Sequence, residues 1–344
     1  MRLHLSFFTC VRILLSLIIL SFAVPTYADI KKILLIDSEL AEPYNQARVA
    51  MLKEMERQGF IPEENLQVTH FSIDNNIGIG IRLLRAEAEK HDVIFTNGTM
   101  ASIAAHEFGF AHPKHKFVFC SVTDPIGLGL ITQFNQPTTS NFAGVAYGIP
   151  VQERLRFLRL VLPSAKTLAM IHSDLPQSKS YVSWLKQELR QPEFIDLKII
   201  FVEVPYVRGK NGPKRMSRLI EKHVVELSPI VDVFLTPSDQ LGTKPEYVDT
   251  FLNHSDKPLM ALTEQELSSG WGAHFGAYPS QDKAGQIAAK MIIHLINGHP
   301  IEHLEPTFSD VEFGIHKPYS DQIGIRIPRQ LWQKHLVNIF HNQN

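Results

Sequence analysis

The chain has 344 residues, of which 44% are hydrophobic, and its 34 lysines and arginines nearly balance its 35 aspartates and glutamates. This length is enough for two domains, and the composition is typical of a globular protein. So balanced a charge argues against a nucleic-acid partner, which would require a clustered basic surface.

The N-terminal segment, residues 1–28, has the layout of a secretory signal peptide. Arg2 and Arg12 give a positive start, residues 13–24 are a mainly apolar run without charged residues, and Ala28 precedes a polar stretch. The apolar run is shorter than the ~20 residues that a membrane-spanning helix needs. We therefore predict cleavage after Ala28 and export to a periplasm. An uncleaved N-terminal anchor is the alternative.

Cleavage would leave Cys120 as the only cysteine, which excludes an internal disulfide. Cys120 lies within an apolar run, residues 117–122, that is typical of a buried strand. We expect a buried thiol with no catalytic role, because a reactive cysteine needs surroundings that stabilise its thiolate.

The first half of the mature chain alternates strand-like and helix-like segments. The predicted strands are 32–37, 66–71, 92–96 and 116–122. The predicted helices are 44–58, 79–90 and 99–106. Strands that alternate with helices of this length indicate βαβ units around a parallel sheet.

The same alternation restarts in the second half. The predicted strands are 167–172, 197–204, 231–236 and 258–262. The predicted helices are 151–161, 178–190, 213–227 and 246–254. Two such series in succession predict an α/β protein with two Rossmann-like lobes.

The boundary between the two series lies near residues 141–150, and a strand (272–278) and an amphipathic helix (280–297) follow the second series. We predict an N-terminal lobe of 29–146 plus about 273–303. The C-terminal lobe then comprises 147–272 plus about 304–326. Trp332, Leu336 and Ile339 favour a closing amphipathic helix over 327–344, with neither lobe assigned to it.

Polar residues follow the strands of both series. The turns at 97–99, 123–125, 172–178, 236–240 and 262–264 carry hydroxyls, amides and carboxylates. Ligands of open α/β sheets bind beyond the carboxyl ends of the strands. A zwitterionic ligand would suit these turns, with Asp124, Asp239 or Glu264 holding its ammonium. Each residue could instead be only a helix N-cap, but their joint occurrence in both series favours a binding site.

Signatures of enzymes are mostly missing from the chain. It has no GxSxG elbow, no Walker A loop and no HExxH helix. The sixteen histidines are scattered, and His112 and His115 are the closest pair of note. A metal site needs three or four converging ligands, so we predict no metal. Because the enzyme motifs are missing, we also predict no cofactor and no catalytic residue. A dyad of Asp124 with a distant histidine stays open.

Residues 120–130, with the sequence CSVTDPIGLGL, resemble a segment of the tryptophan/tyrosine-type substrate-binding proteins of ABC transporters. Residues 141–145, 236–240 and 276–288 resemble three further segments of that family, in the same order. The resemblance implies the fold of type I periplasmic binding proteins and a small ligand held between two lobes. It also implies a monomer that docks on a membrane permease with its ATPase.

The resemblance also implies which residues face the ligand. In the first lobe these are Gly98, Thr99, Thr123 and Asp124, and in the second lobe Gln177, Ser178, Ser180, Ser238 and Asp239. The strand-exit rule adds Asn97 and Glu264. Tyr147, at the crossover, would either stack on a flat ligand or pack at the hinge. The sequence departs from the family pattern around 177–180, at Gln240 and over 277–283. An aromatic amino acid is therefore only a first guess for the ligand.

The favoured hypothesis is a periplasmic solute receptor of an ABC importer, without a catalytic step. The second hypothesis is a sensory receptor of the same fold that signals to a membrane partner. The third is an exported hydrolase, which the missing nucleophile motif disfavours.

Overall fold

The computed structural model describes residues 30–239, 241–268, 271–326, 328, 331 and 337–341. From Lys31 onward the chain forms one compact unit. The predicted signal peptide lies outside the described residues. Within them, no helix is long and apolar enough to cross a bilayer.

Strands and helices alternate along the chain in the predicted manner. The first series is β1 (Lys31–Asp37), α1 (Tyr44–Arg57), β2 (Leu66–Ser72), α2 (Ile77–Glu87), β3 (Val93–Asn97), α3 (Thr99–Gly109), β4 (Phe117–Val122) and β5 (Phe142–Ala146). The second series is α4 (Val151–Val161), β6 (Thr167–Ser173), α5 (Pro176–Glu188), β7 (Lys198–Val204), α6 (Gly212–Leu227), β8 (Val233–Leu235), α7 (Pro245–His254), β9 (Leu259–Ala261), α8 (Gln265–Ser268) and β10 (Phe275–Pro279). The chain ends with α9 (Gln281–Ile296), β11 (Thr307–Phe308), β12 (Val311–His316), α10 (Lys317–Gln322) and β13 (Asn338–Phe340).

The first sheet has six parallel strands in the order β11-β5-β4-β3-β1-β2. Successive residues of β1 face opposite sides, as the strand period of two requires. Leu35 packs with α1 and α9 on one face, and Leu34 packs with α3 on the other. The sheet is therefore covered on both faces, which explains its apolar central strands.

The second sheet has seven strands in the order β13-β12-β10-β9-β8-β6-β7. They run parallel except between β10 and β12. Met170 of β6 packs with α4 and α5 on one face, and Ile171 packs with α6 and α7 on the other. Each sheet with its helices forms one lobe, called the first and the second lobe below.

The chain crosses between the lobes three times: after β5, between β10 and α9, and between β11 and β12. The second and third crossings differ from the predicted boundaries near 273 and 304. Strand β10 pairs with β9 and β12, so it belongs to the second lobe, whereas β11 pairs with β5 in the first. A strand joins whichever sheet offers a hydrogen-bonding edge beside it, which residue order alone does not reveal.

The predicted closing helix is also corrected in part. Ile339 lies in β13, which pairs in parallel with β12, and Ile339 is opposite Ile315. The edge of β12 offers hydrogen bonds that a short β-branched and aromatic segment can satisfy. Trp332 and Leu336 lie outside the described residues.

Candidate functional site

The turn between β3 and α3 is positioned by a close backbone approach. Gly98 has a φ of +97°, in the region that favours glycine. A Cβ there would lie 2.4 Å from Ser38 Oγ and 2.7 Å from a ring carbon of Tyr44. Ser38 Oγ also accepts a hydrogen bond of 3.0 Å from the N–H of Ala101. The start of α3 is thereby fixed at the carboxyl edge of the first sheet.

Asn97 supports this turn from behind. Its Nδ2 donates to Asp37 Oδ1 and to the carbonyl oxygen of Tyr44, both at 2.9 Å. The other oxygen of Asp37 pairs with Arg48 and lies 2.8 Å from His70 Nε2. The Nδ2 group of Asn97 is thus committed to the scaffold of the first lobe, whereas its buried Oδ1 has no partner among the described residues.

Asp239 organises the corresponding edge of the second lobe. Its Oδ2 accepts from the N–H of Ser173 at 2.9 Å, from Ser173 Oγ at 2.8 Å and from Ser178 Oγ at 2.6 Å. Its Oδ1 accepts from the N–H groups of Leu241 at 2.8 Å and Gly242 at 3.1 Å. A carboxylate offers about four acceptor positions, so these five donors saturate it.

The two edges face each other across a small space, called the inner cavity here, of about 20 Å³, enough for one water molecule. Its first-lobe lining is Pro43, Tyr44, Thr99, Ser121 and Thr123, and its second-lobe lining is Gln177, Ser238, Asp239 and Thr243. Tyr147, at the first crossing, completes it. Thr123 Oγ1 and Ser238 Oγ approach to 3.4 Å, so the two lobes are in contact at this cavity.

Tyr147 contributes a polar atom without a partner. Its side chain is 7% exposed, and its Oη has no hydrogen-bond partner among the described residues. Burial raises the pKa of Tyr147 well above its ordinary value of 10.0, and the carboxylate of Glu266 adds to that shift. The phenol is therefore protonated at neutral pH and available as a donor to whatever occupies the cavity.

Glu266 and Arg154 are fully buried charged residues behind the inner cavity. Glu266 Oε2 accepts from the N–H groups of Leu262 at 2.8 Å and Thr263 at 2.7 Å, and from Thr263 Oγ1 at 3.0 Å. Burial nevertheless raises the pKa of Glu266 to about 7, against these bonds and the nearby Arg154.

Arg154 is held from the opposite side of the second lobe. It donates to Tyr181 Oη at 3.1 Å and to the carbonyl oxygen of Met260 at 2.9 Å. The sequence prediction missed both buried charges. For Glu266 a signal existed, because Thr263-x-x-Glu266 has the spacing of a capping box.

A larger outer cavity of about 420 Å³ also lies between the lobes. Its lining is Glu39, Asp74 and Asn75 from the first lobe, and Tyr206, Val207, Gly209, Lys210, Pro213, Met216, Leu241 and Lys244 from the second. Glu39 and Lys244 form an ion pair across it. Leu241 and Lys244 belong to the same turn as Asp239 and Thr243, so one turn walls both cavities.

Asp124 lies elsewhere, in a rear cavity of about 460 Å³. The lining is mostly apolar and includes Phe134, Trp184 and Phe308. Asp124 Oδ1 accepts from the N–H of Gly127 at 2.8 Å, as a turn-capping carboxylate does.

The structure brings together most of the predicted site residues, in different roles. Thr99, Thr123, Tyr147, Gln177, Ser238 and Asp239 line the inner cavity. Asn97, Gly98 and Ser178 position those residues, and Glu264 accepts from Gln46 Nε2 at 3.2 Å across the lobes. Ser180 is partly exposed on α5 and lines none of the three cavities, and Asp124 lines only the rear one. Pro43, Tyr44, Ser121 and Thr243 were not predicted. Ser121, the penultimate residue of β4, has a φ of +56°, a backbone conformation that the sequence pattern does not indicate.

Comparison with known proteins gives this geometry a family. The sequence pattern of the family described as ABC transporter substrate binding protein matches residues 47–335. No curated protein matches the sequence.

Solved structures share the fold. An ABC domain from Streptococcus pneumonia in complex with L-Trp is 18% identical, with a TM-score of 0.75 over 90% of this chain and 99% of the other. A conserved domain protein from Vibrio cholerae is 17% identical, with a TM-score of 0.76 over 91% and 100%. The ligand-free, open substrate-binding protein CD0873 from Clostridium difficile is 19% identical, with a TM-score of 0.69 over 91% and 100%. The predicted two-lobed α/β fold of the type I periplasmic binding proteins is confirmed.

Proposed function

Because the chain belongs to the ABC transporter substrate-binding protein family, we propose that it is the periplasmic solute receptor of an ABC importer. A small ligand binds between the lobes, and the closed form then docks on the permease and its ATPase. The receptor carries out no chemical step. The signal-peptide pattern of residues 1–28 supports export.

One observation carries the proposal: polar groups from both lobes converge on a buried space that only lobe closure creates. Thr99 and Gln177 come from opposite lobes, and Tyr147 lies at a crossing with its Oη unpartnered. Buried polar atoms without partners are rare in native proteins. A ligand that supplies the missing bond would stabilise the closed state relative to the open one.

The contacts between the lobes include the bonds of Gln46 with Glu264 and Gln265 and the packing of Leu175 on the first-lobe core. The Glu39–Lys244 pair is partly exposed, and a pair of this kind contributes about 0–1 kcal/mol. The contact of Thr123 with Ser238 is long for hydroxyls at 3.4 Å. Such contacts permit opening about the three crossings, which is the hinge motion that a solute receptor needs.

The test is isothermal titration of mature protein, residues 29–344, with the common L-amino acids, mono- and dicarboxylic acids, sugars and polyols. We expect at least one solute to bind and to compact the protein in small-angle X-ray scattering. Thr99→Val should weaken that binding, because it removes a hydroxyl from the inner cavity. Thr139→Val is the matched control, since Thr139 is exposed and lies outside that cavity. If the wild type instead converted a solute to a product, and a single substitution abolished that turnover, the protein would be an enzyme and the proposal would be wrong.

A further inference from the structure

The saturated carboxylate of Asp239 restricts the class of ligand, provided that the protein is a solute receptor. An ammonium group needs an acceptor with a free lone pair, and the best such acceptor is a carboxylate. Asp239 is the only carboxylate among the described residues that line the inner cavity. Its five donors all come from the second lobe, so a ligand ammonium would have to displace one of them.

The other nearby carboxylates do not line the inner cavity. Asp37 pairs with Arg48 and holds Asn97. Glu266 is fully buried: its Oε2 accepts from Thr263, and its Oε1 has no partner among the described residues. Asp124 faces the rear cavity. Asp37 and Glu266 each have a cation nearby, which offsets their repulsion of an anion. The charge of Asp239, which lines the cavity, is balanced instead by its five hydrogen-bond donors.

Two helix N-termini, one from each lobe, favour an anion instead. Thr99 is the first residue of α3, which has 11 residues, and Gln177 is the second residue of α5, which has 13. Both line the inner cavity. First-turn N–H groups have no partner within their helix and carry the positive end of the helix dipole.

Tyr147 is the independent observation that points to a ligand at these helix ends. Its buried phenol is protonated and unpartnered, and it lines the same cavity. A neutral O–H donates its strongest hydrogen bond to an anionic oxygen. The hydroxyls of Thr99 and Thr123 can donate in the same way, since their protons rotate freely.

Most of the ligand needs a second compartment, because the inner cavity has room for about one water molecule, the size of a single carboxylate oxygen. The outer cavity is bounded by the same turn and offers about 420 Å³. Val207, Pro213, Met216 and Leu241 give it apolar walls. An apolar body there and a polar head in the inner cavity would let one molecule contact both.

We infer that the solute is an organic acid that places a carboxylate oxygen in the inner cavity and whose apolar body extends to the outer one. An α-ammonium group is not required for its recognition. Asp239 is a positioning residue that orders the second-lobe edge, and Tyr147 is the donor that contacts the carboxylate.

The experiment uses sets of ligands that share one body: 3-phenylpropionate, L-phenylalanine and 2-phenylethylamine, with indole-3-propionate, L-tryptophan and tryptamine beside them. Titration calorimetry on the mature protein gives each dissociation constant. We expect an acid to bind at least as tightly as its amino acid, and the amine about 100-fold more weakly, as for a lost charge-assisted bond. Tyr147→Phe should weaken the acid about tenfold. Tyr319→Phe is the matched control: Tyr319 lies on α10 and packs against His316, so the variant's dissociation constant for the acid should equal that of the wild type.

Each of the other possible results contradicts either the organic-acid inference alone or the solute receptor as well. An amino acid or amine that binds more than about tenfold tighter than its acid overturns the inference, as does binding of only myo-inositol or L-rhamnose. Those results leave the solute receptor intact. Failure of every acid, amino acid, amine and sugar overturns the receptor as well. If Tyr147→Phe does not fold by circular dichroism, Thr99→Val takes its place, and unchanged acid binding by the folded variant contradicts the inference.

Discussion

The two edges of the cleft are built by different means. In the first lobe, Gly98 brings the backbone so close to Ser38 and Tyr44 that no side chain would fit. In the second lobe, the single carboxylate of Asp239 gathers donors from the strand exit at Ser173, from Ser178 and from its own turn. The first edge is fixed by shape and the second by charge, so they should respond differently to substitution.

A second contrast concerns the two strand-exit aspartates. Asp124 follows β4 of the first lobe and Asp239 follows β8 of the second. Asp239 is 5% exposed with five donors, whereas Asp124 is partly exposed with one. The chain position of a carboxylate places it at the sheet edge. The donors around it determine whether it organises the cleft or caps a turn.

The largest expected effect is that of Asp239→Asn. The amide would turn N–H groups toward donors of the native carboxylate, so buried N–H and O–H groups would lose their acceptor. We expect a loss of about 4 kcal/mol in the free energy of unfolding, the scale for breaking a buried charged network. Urea denaturation measures it, and ligand binding should fall with it.

Asp232→Asn is the matched control, because Asp232 also accepts two backbone N–H bonds, at 2.8 Å, but is exposed and far from the cleft edge. It should cost about 1 kcal/mol and leave binding unchanged. Equal losses from both variants would show that Asp239 has no special role.

The next effect tests the edge that shape determines. In Gly98→Ala the residue must keep a φ of +97° and place a Cβ against Ser38 Oγ. Strain and overpacking together should cost about 3 kcal/mol. Thermal and urea unfolding measure the loss.

Gly209→Ala separates the two contributions. Its φ is +91°, but nothing lies within 4 Å of the added Cβ. It should therefore show only the strain, about 1 kcal/mol. If Gly98→Ala were no worse than Gly209→Ala, the close approach would not be what fixes the first edge.

Much of this architecture could be predicted from the sequence, because hydrophobic periodicity and strand exits are local signals. Residues 93–95, for example, are apolar and are followed by the polar residues 96 and 97, and together they form β3 (Val93–Asn97). The binding rule for open α/β sheets then identifies Thr99, Thr123 and Asp239 as cleft residues.

What escaped prediction depends on contacts between distant residues. The pairing of β10 with β12 is set by which sheet edge is adjacent in space. The saturation of Asp239 depends on Ser173, which is 66 residues away. The burial of Glu266 near Arg154 likewise depends on two helices, α8 and α4, that are distant in the sequence. Sequence patterns mark polar turns, but they do not count the donors that each carboxylate receives.

A third prediction concerns Glu266, the second buried carboxylate of the second lobe. Burial raises its pKa from 4.5 to about 7, so the folded protein holds this proton more tightly than the unfolded chain. The stability from that proton is fully present below about pH 4.5 and is lost as pH rises to about 7. Glu266→Gln removes this dependence.

The measurement is the difference in unfolding free energy between Glu266→Gln and wild type at pH 5 and pH 8. The difference should shift by about 2 kcal/mol in favour of the variant as pH rises. The lowered pKa of His274, about 4, raises the stability of both proteins as pH rises, which is the opposite of the effect of Glu266. Subtracting one protein from the other removes this contribution. A difference that does not change with pH would show that Glu266 is ionised throughout this range.

The smallest expected effect is that of Asp124→Ala, and it tests the contrast between the two aspartates. The carboxylate of Asp124 has one backbone donor and partial exposure to solvent, so its loss should cost about 1 kcal/mol. Its side chain does not line the inner cavity, so the affinity for whichever solute the wild type binds should change less than about twofold. Urea denaturation measures the loss of stability and titration calorimetry the affinity, with Asp239→Asn measured in parallel. If Asp124→Ala abolished binding while folding normally, the rear cavity would hold the ligand, and the number of donors around a carboxylate would be a poor guide to its role in the cleft.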